Sequence, residues 1–375
     1  MKIFKRDIQE KIENLLFKGN MIVILGPRQS GKTTLSKKLI ESYGNTAKYF
    51  DCQIAEVRKH FVFGEPDILK ELIGGKKIVV FDEAQTIQDI GSILKIFHDT
   101  YPNAQIIATG SSSFDLANKI NEPMTGRIFE FILLPLSLNE ISREIPLNKE
   151  MLNELIEYGS YPAVVAAESK LEKLETLKNL ATNYLYKDIF VFESIRNPRI
   201  FEQLVKLLAY QIGNMVSVNE IAKNIGISRS VVLRYLRLLE QSFIIKIIHS
   251  FSNNPRNEIK KAFKVYFYDT GVRNALVDTK TLLENRQDKG ALWENYYITE
   301  RLKFNTLESF PSEIMFWRTR IGTEIDVIEK NGENIFATEC KWNYTDVVFS
   351  EFLKKYPHAK TNVITPKKYL EQIKK

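Results

Sequence analysis

The sequence predicts an α/β chain: a parallel sheet with a phosphate-binding loop, a helical stretch with a helix-turn-helix, then a second, smaller α/β domain. Three observations carry this. Near-continuous apolar strands alternate with helical patterns over residues 1–140, which is how strands covered on both faces read. The apolar period then becomes helical. Strand patterns return beyond about residue 266.

The chain has 375 residues, 44% of them hydrophobic, enough for two or three domains. Its net charge of +7, from 53 basic and 46 acidic residues, leans towards a polyanionic partner. Cys52 and Cys340 are the only cysteines, which fits a reducing cytosol and gives no disulfide framework. His60, His98, His249 and His358 lack zinc-ligand spacing. The N-terminus is punctuated by charge, and runs such as "FILLPLSL" are too short to span a bilayer. A cytoplasmic protein without membrane partners is expected.

In chain order, Ile8, Ile12, Leu15 and Leu16 have helical spacing, followed by the strand "MIVIL" and a helix through "KTTLSKKLIESY". Next come "AKYFD", "KKIVVFD", the helix "IGSILKIFHDTY", then "AQIIATG" and "RIFEFILL". The expected domains are 1–140 (phosphate-loop domain), 141–210 (helical lid or connector), 211–265 (winged helix) and 266–375 (small α/β domain).

"GPRQSGKTTL" follows the first strand and opens the first helix after it. Gly26, Gly31, Lys32 and Thr33 match G-x-x-x-x-G-K-[ST], with the strand and helix that the pattern requires. Glycines let backbone N–H groups wrap phosphates, and the helix N-terminus adds a favourable dipole. Residues Gly26, Pro27, Arg28, Gln29, Ser30, Gly31, Lys32, Thr33 and Thr34 are therefore the expected cradle for ATP. Lys32 reaches the β- and γ-phosphates, and Thr33 ligates Mg²⁺. "KKIVVFDEAQ" adds Asp82, a strand-end carboxylate expected at the Mg²⁺, and Glu83, placed to activate water. Thr109 or, by preference, Ser111 would sense the γ-phosphate; a serine turn capping a helix is the plainer alternative. Arg127, just before the fifth strand, is a candidate finger across a subunit boundary, against the alternative of a surface salt bridge.

"VNEIAKNIGISRSVVLRYLRLLEQS" reads as helix, turn at Gly226 and Ile227, and second helix capped by Ser228. On the second helix Val232, Leu236, Leu239 and Phe243 form a core stripe, with Ser230, Arg234, Arg237 and Gln241 opposite. A basic stretch follows: Lys246, Arg256, Lys260, Lys261 and Lys264 against Glu258. Arg229, Arg234, Arg237, Lys260 and Lys261 are the expected DNA contacts, mainly to phosphates. A packing or protein-docking module is the alternative.

In "GTEIDVIEKNGENIFATECKW", strand alternation puts Glu339 and Lys341 on one face and Cys340 on the other. A hairpin at Asn331-Gly332 would converge Asp326, Glu339 and Lys341, with Glu294 of "ALWENYY" completing a Mg²⁺ site for phosphodiester attack. An ordinary edge hairpin with exposed charges is the alternative.

Together with "ATGSSSFDL", "TGRIFEFILLPLSLNEI", "YGSYPAVV", "YLYKDI", "KVYFYDTGVRNAL", "LWENYYITERL" and "FWRTRIGTEIDVI", these motifs resemble a bacterial and archaeal family of AAA+-like P-loop ATPases. That family carries a winged-helix region and a C-terminal restriction-endonuclease-like domain. The resemblance implies an AAA+-type ATP site at Lys32, Thr33, Asp82 and Glu83, with sensor and finger roles at Ser111 and Arg127. It implies a PD-(D/E)xK nuclease pattern at Asp326, Glu339 and Lys341. Ser160 departs from it in "YGSYP", where a second glycine is usual. The expected activity is Mg²⁺-dependent ATP hydrolysis that translocates or remodels duplex or branched DNA, with or without cutting, in a homo-oligomer with ATP sites at subunit interfaces. The alternative is a signalling ATPase whose C-terminal domain is a non-catalytic protein-interaction module.

Overall fold

The five apolar runs of the first part become strands β1 (Met21–Leu25), β2 (Ala47–Asp51), β3 (Ile78–Asp82), β4 (Gln105–Gly110) and β5 (Ile128–Ile132). In the computed structural model, which describes residues 2–61, 71–111, 126–184, 197–252, 263–279, 281–319 and 321–373, all five are parallel in the order β2-β3-β4-β1-β5. The three inner strands are buried along their whole length, and the two edge strands only in part. This is why "MIVIL" and "IVVFD" are unbroken apolar runs, while "AKYFD" is mixed. β1 lies between β4 and β5, so the strand order reverses around it. Crevices at such points, at the carboxyl ends of strands, are where α/β sheets bind ligands. Here Gly26 directly follows β1, and β3 ends in Asp82.

Two compact units divide the chain. One holds Lys5–Pro135 with Gln241–Phe243; the other holds Met1–Phe4, Leu136–Glu240 and Ile244–Lys375. The second unit begins with helices Leu138–Ser142, Lys149–Tyr158, Pro162–Ala166 and Lys170–Asn179. Ser137 and Glu140 start the first of these with reciprocal caps. Helix Pro198–Tyr210 leads to β6 (Met215–Val216), helices Val218–Ile225 and Arg229–Gln241, then β7 (Ile245–His249) and β8 (Phe263–Phe267). These three strands form an antiparallel sheet in the order β6-β8-β7. Gly226 ends its helix in the left-handed region, at φ 75°, the conformation the turn needs. Val232, Leu236 and Leu239 are buried as expected, while Ser230, Arg234 and Arg237 are exposed.

Helix Thr270–Leu276 and the long helix Lys289–Asn305 precede a four-stranded sheet of β9 (Glu313–Arg318), β10 (Glu324–Asn331), β11 (Asn334–Cys340) and β12 (Lys360–Ile364). β12 pairs parallel to β11 and was not anticipated. The hairpin differs from expectation by one residue. Asn331 pairs with Asn334, so the loop is Gly332-Glu333, with Gly332 at φ 58°.

The segments 141–210, 211–265 and 266–375, expected as separate domains, share one unit because buried hydrogen bonds tie them together. Lys264 donates to Glu294 at 3.1 Å. Asp269 accepts the Ser160 N–H at 2.7 Å, and Lys303 donates to the Leu136 carbonyl and the Ser160 hydroxyl. Ser160 thus joins a buried polar network instead of merely completing a turn. Among the described residues no helix is long and apolar enough to cross a membrane.

Candidate functional site

The loop after β1 is shaped by close approach. A Cβ on Gly26 would overlap the carbonyl oxygen of Leu133, in the segment leaving β5. Gln29 and Gly31 lie at φ 59° and 101°. Gly31 caps the helix Lys32–Ile40, which places Lys32, Thr33 and Thr34 in its first turn. Lys32 is buried and donates to the carbonyls of Gly26 and Pro27, both at 2.9 Å. Arg28 is half-buried and Gln29 exposed, whereas the Ser30 hydroxyl is buried without a hydrogen-bond partner. A buried hydroxyl in that state is costly unless a ligand satisfies it.

Asp82 collects three hydroxyl donors. Thr33 Oγ1 and Tyr49 Oη donate to its Oδ2 at 2.7 and 2.6 Å, and Thr109 Oγ1 donates to Oδ1 at 2.6 Å. Thr33 and Asp82 are therefore brought together as the spacing predicts. Tyr49, on edge strand β2, was missed; burial and then the hydrogen bond to Asp82 hold its hydroxyl protonated well above its usual range. Glu83 follows at φ 52°, ψ 46°, a left-handed conformation unusual for a glutamate. Its N–H donates to Thr109 Oγ1 at 3.0 Å, and Lys32 Nζ lies 3.9 Å from its carboxylate. Gln85 Nε2 donates to Glu83 Oε2 at 2.5 Å and to Ser111 Oγ at 3.1 Å. Ser111 is thereby linked to the candidate water-activating acid, while Thr109 is committed to Asp82.

The loop fits a nucleoside triphosphate. It offers an unsatisfied hydroxyl, a glycine cradle that a Cβ would block, and a buried lysine beside an ordered threonine–aspartate pair. Gly26 to Thr34 would hold the phosphates, and Thr33 with Asp82 would hold Mg²⁺. The cation supplies charge neutralisation on the phosphates when bound. Lys32 brings a buried positive charge, and Glu83 is a buried carboxylate whose orientation Gln85 fixes.

Arg127 precedes β5, on the edge of the sheet opposite the loop, because β5 runs parallel to β1. Strands of this length span about 17 Å, so Arg127 does not serve the loop of its own chain. Its guanidinium pairs with Asp99 at 3.2 Å, both side chains being more than 40% exposed. Such a pair adds little stability.

In the second unit Asp326, Glu339 and Lys341 converge. Lys341 Nζ is 2.6 Å from Glu339 and 4.0 Å from Asp326, and Asp326 Oδ2 accepts the Cys340 N–H at 2.9 Å. β10 shifts register against β9 between Ile325 and Ile328, the stretch that holds Asp326, and no local spacing announces the shift. Burial and the nearby Asp326 push Glu339 up to about 7, and the same two causes push Glu294 up to about 7. Glu294 is taken by other partners. Lys264 donates to it at 3.1 Å and Tyr266 also donates to it, while Lys264 pairs with Glu324 as well. Among the described residues no group of three His, Cys, Asp or Glu is placed to hold a metal ion.

The basic wing also differs from expectation. Lys264 is 1% exposed and neutralised by two carboxylates, because β8 turns Lys264 and Tyr266 to one buried face. Lys246 pairs with Glu240 at 3.0 Å. Arg256, Lys260 and Lys261 lie outside the described residues. Arg229 is exposed and reaches Asn219 at 3.3 Å.

Three stretches match known families. Residues 18–142 match one described as an AAA domain, and residues 149–283 and 289–375 match two domains of unknown function. An uncharacterized protein of Mycobacterium tuberculosis is 24% identical over 345 residues, covering 91% of this chain and 74% of that one. An uncharacterized protein of Methanocaldococcus jannaschii is 25% identical over 348 residues, covering 87% and 75%. Among solved structures, the Holliday junction branch migration motor RuvB of Thermotoga maritima aligns at TM-score 0.31 with 14% identity, over 68% of this chain and 91% of that one. So distant a likeness carries no argument about function. Residues 18–142 are thus similar to an AAA domain, and the parallel sheet and the loop from Gly26 to Thr34 both lie within them.

Proposed function

We propose that the chain is a Mg²⁺-dependent ATPase that acts on DNA, translocating or remodelling duplex or branched substrates. The observation that carries the hydrolytic half is the strand-end pair at β3. Asp82 is committed to Thr33, while Glu83 stands separately, buried and oriented by Gln85. One carboxylate is thus available to a cation and the other to water. Arg127, on the far edge of its own sheet, supports a role at a neighbouring copy's site in a homo-oligomer, where it would exchange Asp99 for the transferring phosphate.

The DNA half rests on the helix Arg229–Gln241. Arg229, Arg234 and Arg237 lie exposed on it, behind a glycine turn and ahead of β7 and β8, the arrangement expected of a winged helix. Replacing both Arg234 and Arg237 with alanine is expected to weaken duplex binding. The slope of log affinity against log salt should fall by about 2, since each lost phosphate contact removes roughly 0.9. Unchanged affinity and slope would remove DNA from the proposal.

A second reading, a nucleotide-dependent regulatory ATPase with a non-cutting interaction module, is favoured by the C-terminal carboxylates. Glu294 and Glu339 accept hydrogen bonds from Lys264 and Lys341. The first reading does not require cutting, and nuclease activity stays secondary to ATP-driven action on DNA.

A further inference from the structure

The short helix Ile8–Glu13 before β1 is preceded by Arg6, which lies ahead of the matched residues 18–142 and in none of the motifs above. Arg6 is 8% exposed. Its NH1 donates to the carbonyl of Ser30 in the phosphate loop, and its NH2 donates to the carbonyl of Leu134 just beyond β5, both at 2.6 Å. Leu134 follows Leu133, whose carbonyl abuts Gly26. One guanidinium therefore fastens the loop to the segment that walls it on the other side.

The Ser30 bond has a directional consequence. No cis peptide occurs among the described residues, and in a planar trans peptide the C=O and the following N–H point in opposite directions. With the Ser30 carbonyl held by Arg6, the Gly31 N–H points away from the arginine. At φ 101° Gly31 has the conformational freedom of a glycine, so this peptide could otherwise turn over at little steric cost. NH1 would lie 3.5 Å from a Cβ at Gly31, close enough to rest against that residue.

We propose that Arg6 is a positioning residue for phosphate binding. It fixes the rotation of the Ser30–Gly31 peptide so that the Gly31 N–H faces the β-phosphate of a nucleoside di- or triphosphate. This rests on the nucleotide reading of the loop. The fork geometry matters as well as the charge. A lysine is a point donor and cannot bridge Ser30 and Leu134 as two N–H groups of one plane do.

The test is calorimetric binding of ADP and of a non-hydrolysable ATP analogue, with Mg²⁺, to the wild type, Arg6→Lys and Arg6→Gln, alongside thermal melts of the same samples. Both variants should bind the two nucleotides roughly tenfold more weakly, by a similar factor for each, because the lost donor serves the phosphate they share. Wild-type affinity in Arg6→Lys, with or without a lowered melting temperature, would overturn the proposal and leave Arg6 as packing. A wild type that takes up neither nucleotide would overturn the nucleotide reading itself, and this inference with it.

Discussion

Glu83→Gln is expected to bind ATP as the wild type does and to hydrolyse it roughly a hundredfold to ten-thousandfold more slowly, the range that a positioned general base supplies. The substitution is isosteric and leaves the contacts that shape the site in place. Thr109 still receives the N–H of residue 83, and Asp82 still holds Thr33. What is lost is the ability to accept a proton, together with the carboxylate charge beside Lys32. The backbone of Glu83 is held at φ 52°, and positive φ at a non-glycine residue is retained where the surroundings over-determine it, often at functional sites. Single-turnover hydrolysis and nucleotide binding measured on one preparation separate the two effects. Wild-type turnover in Glu83→Gln would remove the water-activating role.

Gly271→Ala is expected to unfold or strongly destabilise the second unit, by about 3–5 kcal/mol. A Cβ there would overlap the carbonyl of Tyr158 and stand 2.7 Å from the Gly159 nitrogen. These are backbone atoms at the end of the helix Lys149–Tyr158, and they cannot swing aside as a side chain would. Gly159 faces the same junction, where its own Cβ would meet the Asp269 carboxylate. Asp269 meanwhile caps its helix through the Val272 N–H at 3.0 Å and accepts the Ser160 N–H. Gly290→Ala is the matched control. Nothing lies within 4 Å of its Cβ, and it sits in the first turn of the helix Lys289–Asn305, so a small gain of about 0.5–1 kcal/mol is expected. Equal melting temperatures for Gly271→Ala and the wild type would contradict this account of the junction.

Much of the phosphate-loop domain was legible because its signals are local. The apolar runs of β1, β3 and β4 announce buried parallel strands, and the spacing from Gly26 to Thr33 fixes the loop. Asp82 at the end of a buried strand needs a partner, and the fold supplies Thr33. Tyr49, Gln85 and Arg6 were not legible, since each acts through a side chain whose target comes from another part of the fold. Tyr49 reads as an edge-strand aromatic until β2 is seen beside β3. Lys264 misled for a related reason. In a basic stretch it looks like a surface cation, and only the pairing of β8 with its neighbours turns it towards Glu294. One signal was available: Lys264 and Tyr266 alternate with apolar residues, so both share a face. The register shift around Asp326 had no local signature, because it arises from the pairing of β9 with β10.

ATP turnover by the full chain with Mg²⁺, measured alone and with duplex, single-stranded and branched DNA, tests the central claim most directly. The account predicts turnover that Lys32→Ala abolishes and that at least one form of DNA accelerates. Absence of turnover, or a rate indifferent to every DNA form, would contradict it.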